Sequence, residues 1–361
     1  MSTISVYVCV LFFISVFGDV SAAKHEPRVK FFELNKGNFS VKFTNRGATI
    51  VSVILPDKRG KLADVVLGFD SVEQYANNTQ YFGAIVGRVG NRIGGARFTL
   101  NRTTYKLIAN DGNNTLHGGY PGFGDIVWTV RKYKRSGHVP YITFTHQSFD
   151  GEQRFPGDLV VSVTYKLLGN QQLSVNMKAV ALNKATPVNI IQHAYWNLRG
   201  HNTGDILSHK VQIFGSHITP TDHNLIPTGE IVTVKDTPYD FLKPQTVGSR
   251  INKVSGGYNN NYVVDGPQDQ KMKKIAVVYE EKSGRMMTLW SDKPGVQFYT
   301  SGSMPDIKGK GGFVYRRYAA LCLETQGFPD SVNHPNFPSV IVNPRKAYTH
   351  NMLFQFSRIY F

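Results

Sequence analysis

Strict alternation of apolar and polar residues constrains the fold of this chain more than any other feature. Val161, Val163, Tyr165 and Leu167 alternate with Ser162, Thr164 and Lys166, and Leu173, Val175, Met177 and Ala179 alternate with Ser174, Asn176 and Lys178. A period of two puts every second side chain on one face of a pleated strand. The turn-like Gly169-Asn170-Gln171-Gln172 between the runs predicts a β-hairpin. Shorter runs at 39–43, 142–145 and 353–356 repeat the pattern, and no segment carries a helical stripe of four turns. Many short strands punctuated by Gly, Pro and Asn predict an all-β fold, a large sandwich. Proline is evenly spread, and no linker, low-complexity stretch or fixed-period repeat appears. One large domain over residues 24–361 is therefore expected, with its functional site in a groove on a sheet face.

The first residues stand apart. Val6 to Phe17 is an uncharged apolar run followed by Val20-Ser21-Ala22-Ala23, the pattern of a secretory signal peptide spanning 1–23. No Lys or Arg precedes the run, so the α-amine supplies the only positive charge there. The run is too short to span a bilayer comfortably, and no second one approaches membrane length. Sequons begin at Asn38, Asn77, Asn101 and Asn113, and with a leader they fit a glycosylated, secreted protein.

Of the two cysteines, Cys9 lies in the leader, so the mature chain holds the single thiol of Cys322 and no internal disulfide. Cys322 sits in the apolar run Ala319 to Leu323, as a buried structural thiol would. The formal charge is +16, and losing Asp19 with the leader raises it by one. Such an excess favours anionic surroundings. The positive residues are scattered, without a zinc-finger, RNP or basic-helix pattern. For a secreted chain the expected partner is an acidic cell-wall or matrix polysaccharide, not nucleic acid.

Several chemical signatures can be set aside. Gly83 to Gly95 is glycine-rich and basic but lacks the Gly-Lys-Ser/Thr ending of a phosphate loop. There is no Gly-x-Ser-x-Gly elbow and no HExxH or Cys/His cluster, so neither a metal nor another cofactor is expected. Four polar segments remain: Asn91-Arg92, Asn114 to Gly119, Gln192 to Leu198, and Leu323 to Pro329. Each has a bland explanation. His117 before two glycines suits a turn, and His193 suits a hydrogen-bonded core histidine. Glu324 follows Ala-Ala-Leu-Cys-Leu, and a carboxylate buried without a partner costs several kcal/mol or shifts its pKa upward. It has either an ion partner or a task, and spacing leaves both open.

Taken together, the segments resemble the aldose 1-epimerase (galactose mutarotase) family along nearly the whole mature chain. The resemblance runs through Tyr81-Phe82-Gly83-Ala84, Gly87-Arg88-Val89, Asn91-Arg92-Ile93, Leu116-His117-Gly118-Gly119 and Phe155-Pro156-Gly157. It continues through His193 to Leu198, Gly257-Tyr258, Val296 to Thr300, Leu323 to Pro329 and Asn336-Phe337-Pro338. Tyr195 to Leu198 and Gly200-His201-Asn202 are most similar to the plant branch. The resemblance implies a galactose mutarotase-like β-supersandwich whose groove takes a monosaccharide. It implies Glu324 as general base on the anomeric hydroxyl and His193 as general acid on the ring oxygen. His117 and Arg92 would hold ring and hydroxyl oxygens, with Asn91 and Gln297 placing the sugar. Ring opening needs proton transfers and one C–O cleavage, for which a positioned acid and base suffice.

Two departures stand out. Where the family usually carries Gly-Tyr/Phe-Asp, this chain reads Gly257-Tyr258-Asn259, so an amide replaces a sugar-binding carboxylate. A hydrogen bond to a charged group is worth about 1.5–3 kcal/mol against roughly 0.5–1.5 for a neutral one, so hexose affinity should fall. Before the Glu324 segment, Arg317-Tyr318-Ala319-Ala320 replaces the family's Lys-His-(Ala/Ser)-Gly, a swap expected to narrow the groove. The favoured function is a mutarotase with altered sugar preference. The alternatives are a family-derived isomerase acting on a non-sugar metabolite and a non-catalytic carbohydrate-binding protein.

Overall fold

The computed structural model describes residues 28–169, 171–267 and 271–360. The leader expected at 1–23 and the turn residue Asn170 lie outside them. Among the described residues the regular elements are strands and single 3-10 turns, with no α-helix, so the all-β expectation holds.

The two alternating runs form Leu159–Leu168 and Gln172–Ala181, antiparallel from Leu159 opposite Ala181 to Leu168 opposite Gln172. They sit inside a nine-stranded antiparallel sheet. On one side it continues through Tyr141–Ser148 to Thr129–Lys134. On the other come Tyr348–Arg358, Arg285–Ser291, Lys273–Tyr279, Lys210–Ile213 and Gln245–Thr246. The last long strand thus joins the two halves of the chain.

A four-stranded sheet from Phe31–Lys36 to Leu62–Asp64 packs against this one. The Phe43 and Tyr165 rings lie 4.7 Å apart, and the Tyr165 hydroxyl donates to the Ala48 carbonyl at 2.9 Å. A five-stranded sheet carries the site, in the order Val232–Thr233, His217–Thr219, Asn259–Val263, Gly295–Tyr299 and Cys322–Gln326. Its inner face sends Tyr262, Val296, Phe298 and Leu323 into the core shared by all three sheets. Burying each such side chain stabilises the fold by about 1.5–3 kcal/mol. Because strand periodicity is two, these anchors force Asn261, Gln297 and Glu324 onto the opposite face. A one-residue slip would reverse that and bury the polar set in the core.

Candidate active site

The polar face of the five-stranded sheet floors a cleft of about 190 Å³. Gln297 lies directly opposite Glu324, and Asn261 directly opposite Gln297 on the next strand. Gln297 Nε2 donates to Asn259 Oδ1 at 2.7 Å, while Gln326 Nε2 donates to Gln297 Oε1 at 3.2 Å and to Asn261 Oδ1 at 3.0 Å. A chain of amides therefore fixes Asn259 from behind and leaves its Nδ2 for the cleft.

His193 follows the short strand Ile191–Gln192, and its backbone is clamped at both ends. Its N–H donates to the Ala84 carbonyl at 2.9 Å, and its own carbonyl accepts from Gly83 at 3.0 Å. The imidazole stacks on Tyr195 with centroids 5.1 Å apart and planes 17° apart, and meets the His117 ring edge-on at 5.2 Å. Nε2 stands 3.5 Å from Glu324 Oε2, and Nδ1 stands 3.8 Å from Cys322 Sγ.

His117 and Asn91 form the opposite wall, and both take left-handed backbone, with φ of 52° and 57°. Side chains other than Gly adopt this region at a cost, and functional sites collect such residues. The His117 N–H donates to the Asn91 carbonyl at 3.0 Å, and the Asn91 N–H donates to His117 Nδ1 at 3.2 Å. Nε2 of the neutral His117 ring therefore keeps the proton as a donor. Gly118 follows because nothing larger fits: at its φ of +89°, a Cβ would lie 2.0 Å from the Gly87 carbonyl oxygen. Arg92 projects beside Asn91, its Nε held at 2.7 Å by Asp111 Oδ2.

The electrostatics follow from burial. Desolvation lifts the Glu324 carboxyl to about 8, although the Arg92 charge pulls the other way. It depresses His193 to about 4 and His117 well below the usual histidine range. The 3.5 Å His193–Glu324 contact is thus between a carboxylic acid and a neutral imidazole, not an ion pair. His193, Cys322 and Glu324 also bring one donor atom each within 4.8 Å of one another. A thiol must lose its proton to coordinate a metal. Burial pushes the Cys322 thiol well above the ordinary thiol range, so it keeps its proton at neutral pH.

All seven residues named as acid, base and sugar contacts (His193, Glu324, Asn91, Arg92, His117, Asn259 and Gln297) line this one cleft. Tyr81, Tyr195 and Tyr299 also line it and were not singled out. All three lie inside motifs that carry the family resemblance, but tyrosines in strand-like runs read as core and nothing in the sequence placed them in the groove. Tyr318 is not among the lining residues. Its ring packs against Gly257 and Gly302, where it would meet any added Cβ, so the expected narrowing of the groove does not arise from it directly.

The aldose 1-epimerase family model matches residues 30–355. The chain belongs to the aldose 1-epimerase family. Galactose mutarotase of Bos taurus is 39% identical over 95% of this chain and 98% of its own length. Aldose 1-epimerase of Escherichia coli (strain K12) is 30% identical over 89% and 93%. Among solved structures, a GalM/aldose epimerase homologue from C. elegans superposes with a TM-score of 0.86 at 27% identity, covering 92% of this chain and 100% of that one. The sandwich is therefore the fold of the aldose 1-epimerase family, and the protein is an isomerase.

Proposed function

We propose that the protein interconverts the α and β anomers of a hexose, such as glucose or galactose, with Glu324 as general base and His193 as general acid. One observation carries this reading. Glu324 is the only carboxyl among the described residues lining the cleft, and it lies 3.5 Å from the only imidazole that touches it.

Between about pH 4, where burial puts His193, and about pH 8, where it puts Glu324, the pair holds one proton. Reaction begins when that proton is on His193 Nε2 and Glu324 is ionised, a transfer over the 3.5 Å between them. The anomeric hydroxyl then gives its proton to Glu324 as the C1–O5 bond breaks. The bonding pair goes to O5, which takes the Nε2 proton. Rotation about C1–C2 turns the aldehyde, and reclosure reverses both transfers. The pair's proton count never changes, so no proton need enter or leave the site during turnover. The Arg92 guanidinium, His117 Nε2–H and the amides of Asn91, Asn259 and Gln297 offer donors to the sugar oxygens.

Polarimetry on freshly dissolved α-D-galactose and α-D-glucose tests the assignment. Glu324→Gln and His193→Ala should each lower the catalysed rate about 10²–10⁴-fold. Activity unchanged in either variant would reject its role. We also place the protein in the secretory pathway, on the strength of the leader pattern and of four sequon asparagines that are all exposed. Its positive charge suits an acidic wall or matrix polysaccharide as a partner, and elution from such a polymer that ignored salt would refute this.

A further inference from the structure

We propose that Cys322 is a positioning residue for the acid: its sulfur holds the proton on His193 Nδ1, so that Nε2 alone exchanges protons with the sugar and with Glu324. This rests on the mutarotase reading and adds a group to which nothing assigns a part in turnover.

Cys322 is the side-chain partner of Nδ1 among the described residues, and His193's own backbone carbonyl also stands within reach of the ring. His193 Nδ1 is 3.8 Å from Cys322 Sγ, a sulfur hydrogen-bond distance, and both side chains are buried. The two residues are fixed independently. Cys322 stands in the strand pairing with Gly295–Tyr299, and His193 is clamped by Gly83 and Ala84 from the other side. Tyr195 stacks on the imidazole and prevents the ring from tipping away from the sulfur. The other polar groups around the ring are accounted for. Glu324 faces Nε2, His117 meets the ring edge-on with its own Nδ1 engaged by Asn91, and Tyr81 lies with its ring 6.2 Å away. Arg92, which lines the same cleft, is already paired with Asp111.

The chemistry explains why sulfur suits this place. An imidazolium that delivers its Nε2 proton is left with its proton on Nδ1, which needs an acceptor throughout the cycle. A carboxylate would accept so strongly that it stabilised the cation and weakened the acid. A thioether or thiol sulfur is a weak acceptor. It can orient Nδ1–H while leaving the imidazolium reactive. Burial also keeps the thiol from ionising, so no negative charge ever opposes transfer to O5. With the Glu324 carboxyl facing Nε2 at 3.5 Å, the neutral ring keeps its proton on Nδ1, where the sulfur accepts it.

The test uses the full-length mature protein with Cys322→Ser and Cys322→Val, compared by kcat, KM, the pH dependence of kcat and ¹⁵N resonances of the His193 ring. Cys322→Val removes the acceptor at similar volume, and kcat should fall about three- to tenfold with KM within twofold, the scale of one lost hydrogen bond. Cys322→Ser supplies a stronger acceptor that favours the cation, so the acidic limb of kcat should move to higher pH. The ¹⁵N spectrum should place the proton on Nδ1 in the wild type and redistribute it in the valine variant. Identical limbs and identical ¹⁵N shifts in the wild type and the serine variant would overturn the proposal, even if the valine variant fails to fold. If the wild type does not accelerate mutarotation, the functional reading fails, while the ¹⁵N comparison still decides whether the thiol positions the ring.

Discussion

Replacing Glu324 by Gln should lower catalysis about 10²–10⁴-fold yet stabilise the fold increasingly as the pH rises from 4.5 towards neutrality. Glu324 is 2% exposed, and burial raises its pKa from 4.5 to about 8. The native protein therefore holds this proton more tightly than the unfolded chain does. Below pH 4.5 both states are protonated and the group contributes its full stability. As the pH rises from there towards 8, the unfolded chain ionises first, and stability falls. Each pH unit in that window is worth about 1.4 kcal/mol, so roughly 3 kcal/mol has been lost by pH 7. Gln keeps the shape and does not titrate, so the variant escapes this loss. How well the amide packs adds a constant, whereas the titration adds a slope, and the two separate cleanly. Urea denaturation of both proteins at pH 4.5, 5.5, 6.5 and 7.5 would measure it. The stability of the variant relative to wild type should climb by about 1.4 kcal/mol per pH unit. The cost of burying neutral His193 is common to both proteins and cancels. A difference that stays flat across the range would mean that Glu324 is already ionised in the native state, with Arg92 prevailing over burial, and the reasoning would be wrong.

Other consequences can be checked in the same preparations. The kcat of the wild type should be level across neutral pH and fall as the pair gains a second proton near pH 4 or loses its only one near pH 8, as read from a pH–rate profile. Asn259→Asp should restore a charged acceptor to the cleft and lower KM for hexoses up to about tenfold, measured by polarimetry; no change would mean that position 259 does not touch the sugar. Glycosidase treatment of the secreted protein should lower its mass, since Asn38, Asn77, Asn101 and Asn113 are all exposed.

What could be read from the sequence was local. The hairpin at 159–181 announced itself because its alternation and its turn lie within two dozen residues, and it formed in the register the alternation required. The site was not legible in that way. Gln297 faces Glu324 across a strand pair, and His193 meets Cys322 across 129 positions of sequence, so no window contains either contact. Only the family resemblance brought the four polar segments together. It also grouped motifs whose work is structural. Arg88 is buried and donates to the carbonyls of Pro156 at 2.8 Å and Gly157 at 2.9 Å, so the Gly87-Arg88-Val89 and Phe155-Pro156-Gly157 motifs are two halves of one internal clamp. Cys322 was read as a buried structural thiol, and it is buried, yet its place against the His193 imidazole depends on sheet register, which its neighbours in sequence do not specify.

Burial keeps one proton on the His193–Glu324 pair across neutrality but holds it on the carboxyl, so the arrangement with His193 protonated and Glu324 ionised is a minor state reached from it. In water the two titrate near 6.5 and 4.5, so at pH 7 such a pair has usually lost both protons and offers a base without an acid. Desolvation moves the carboxyl up to about 8 and the imidazole down to about 4, which reverses their order and stretches the one-proton state across neutrality. The exchangeable proton is then present at pH 7, on Glu324 in the resting pair. Both anomeric directions need one acid and one base, and both find them without waiting for solvent. The same desolvation lowers stability at neutral pH, so the strands that bury Phe298 and Leu323 on the inner face of the sheet offset the cost of the neutral pair on the outer one.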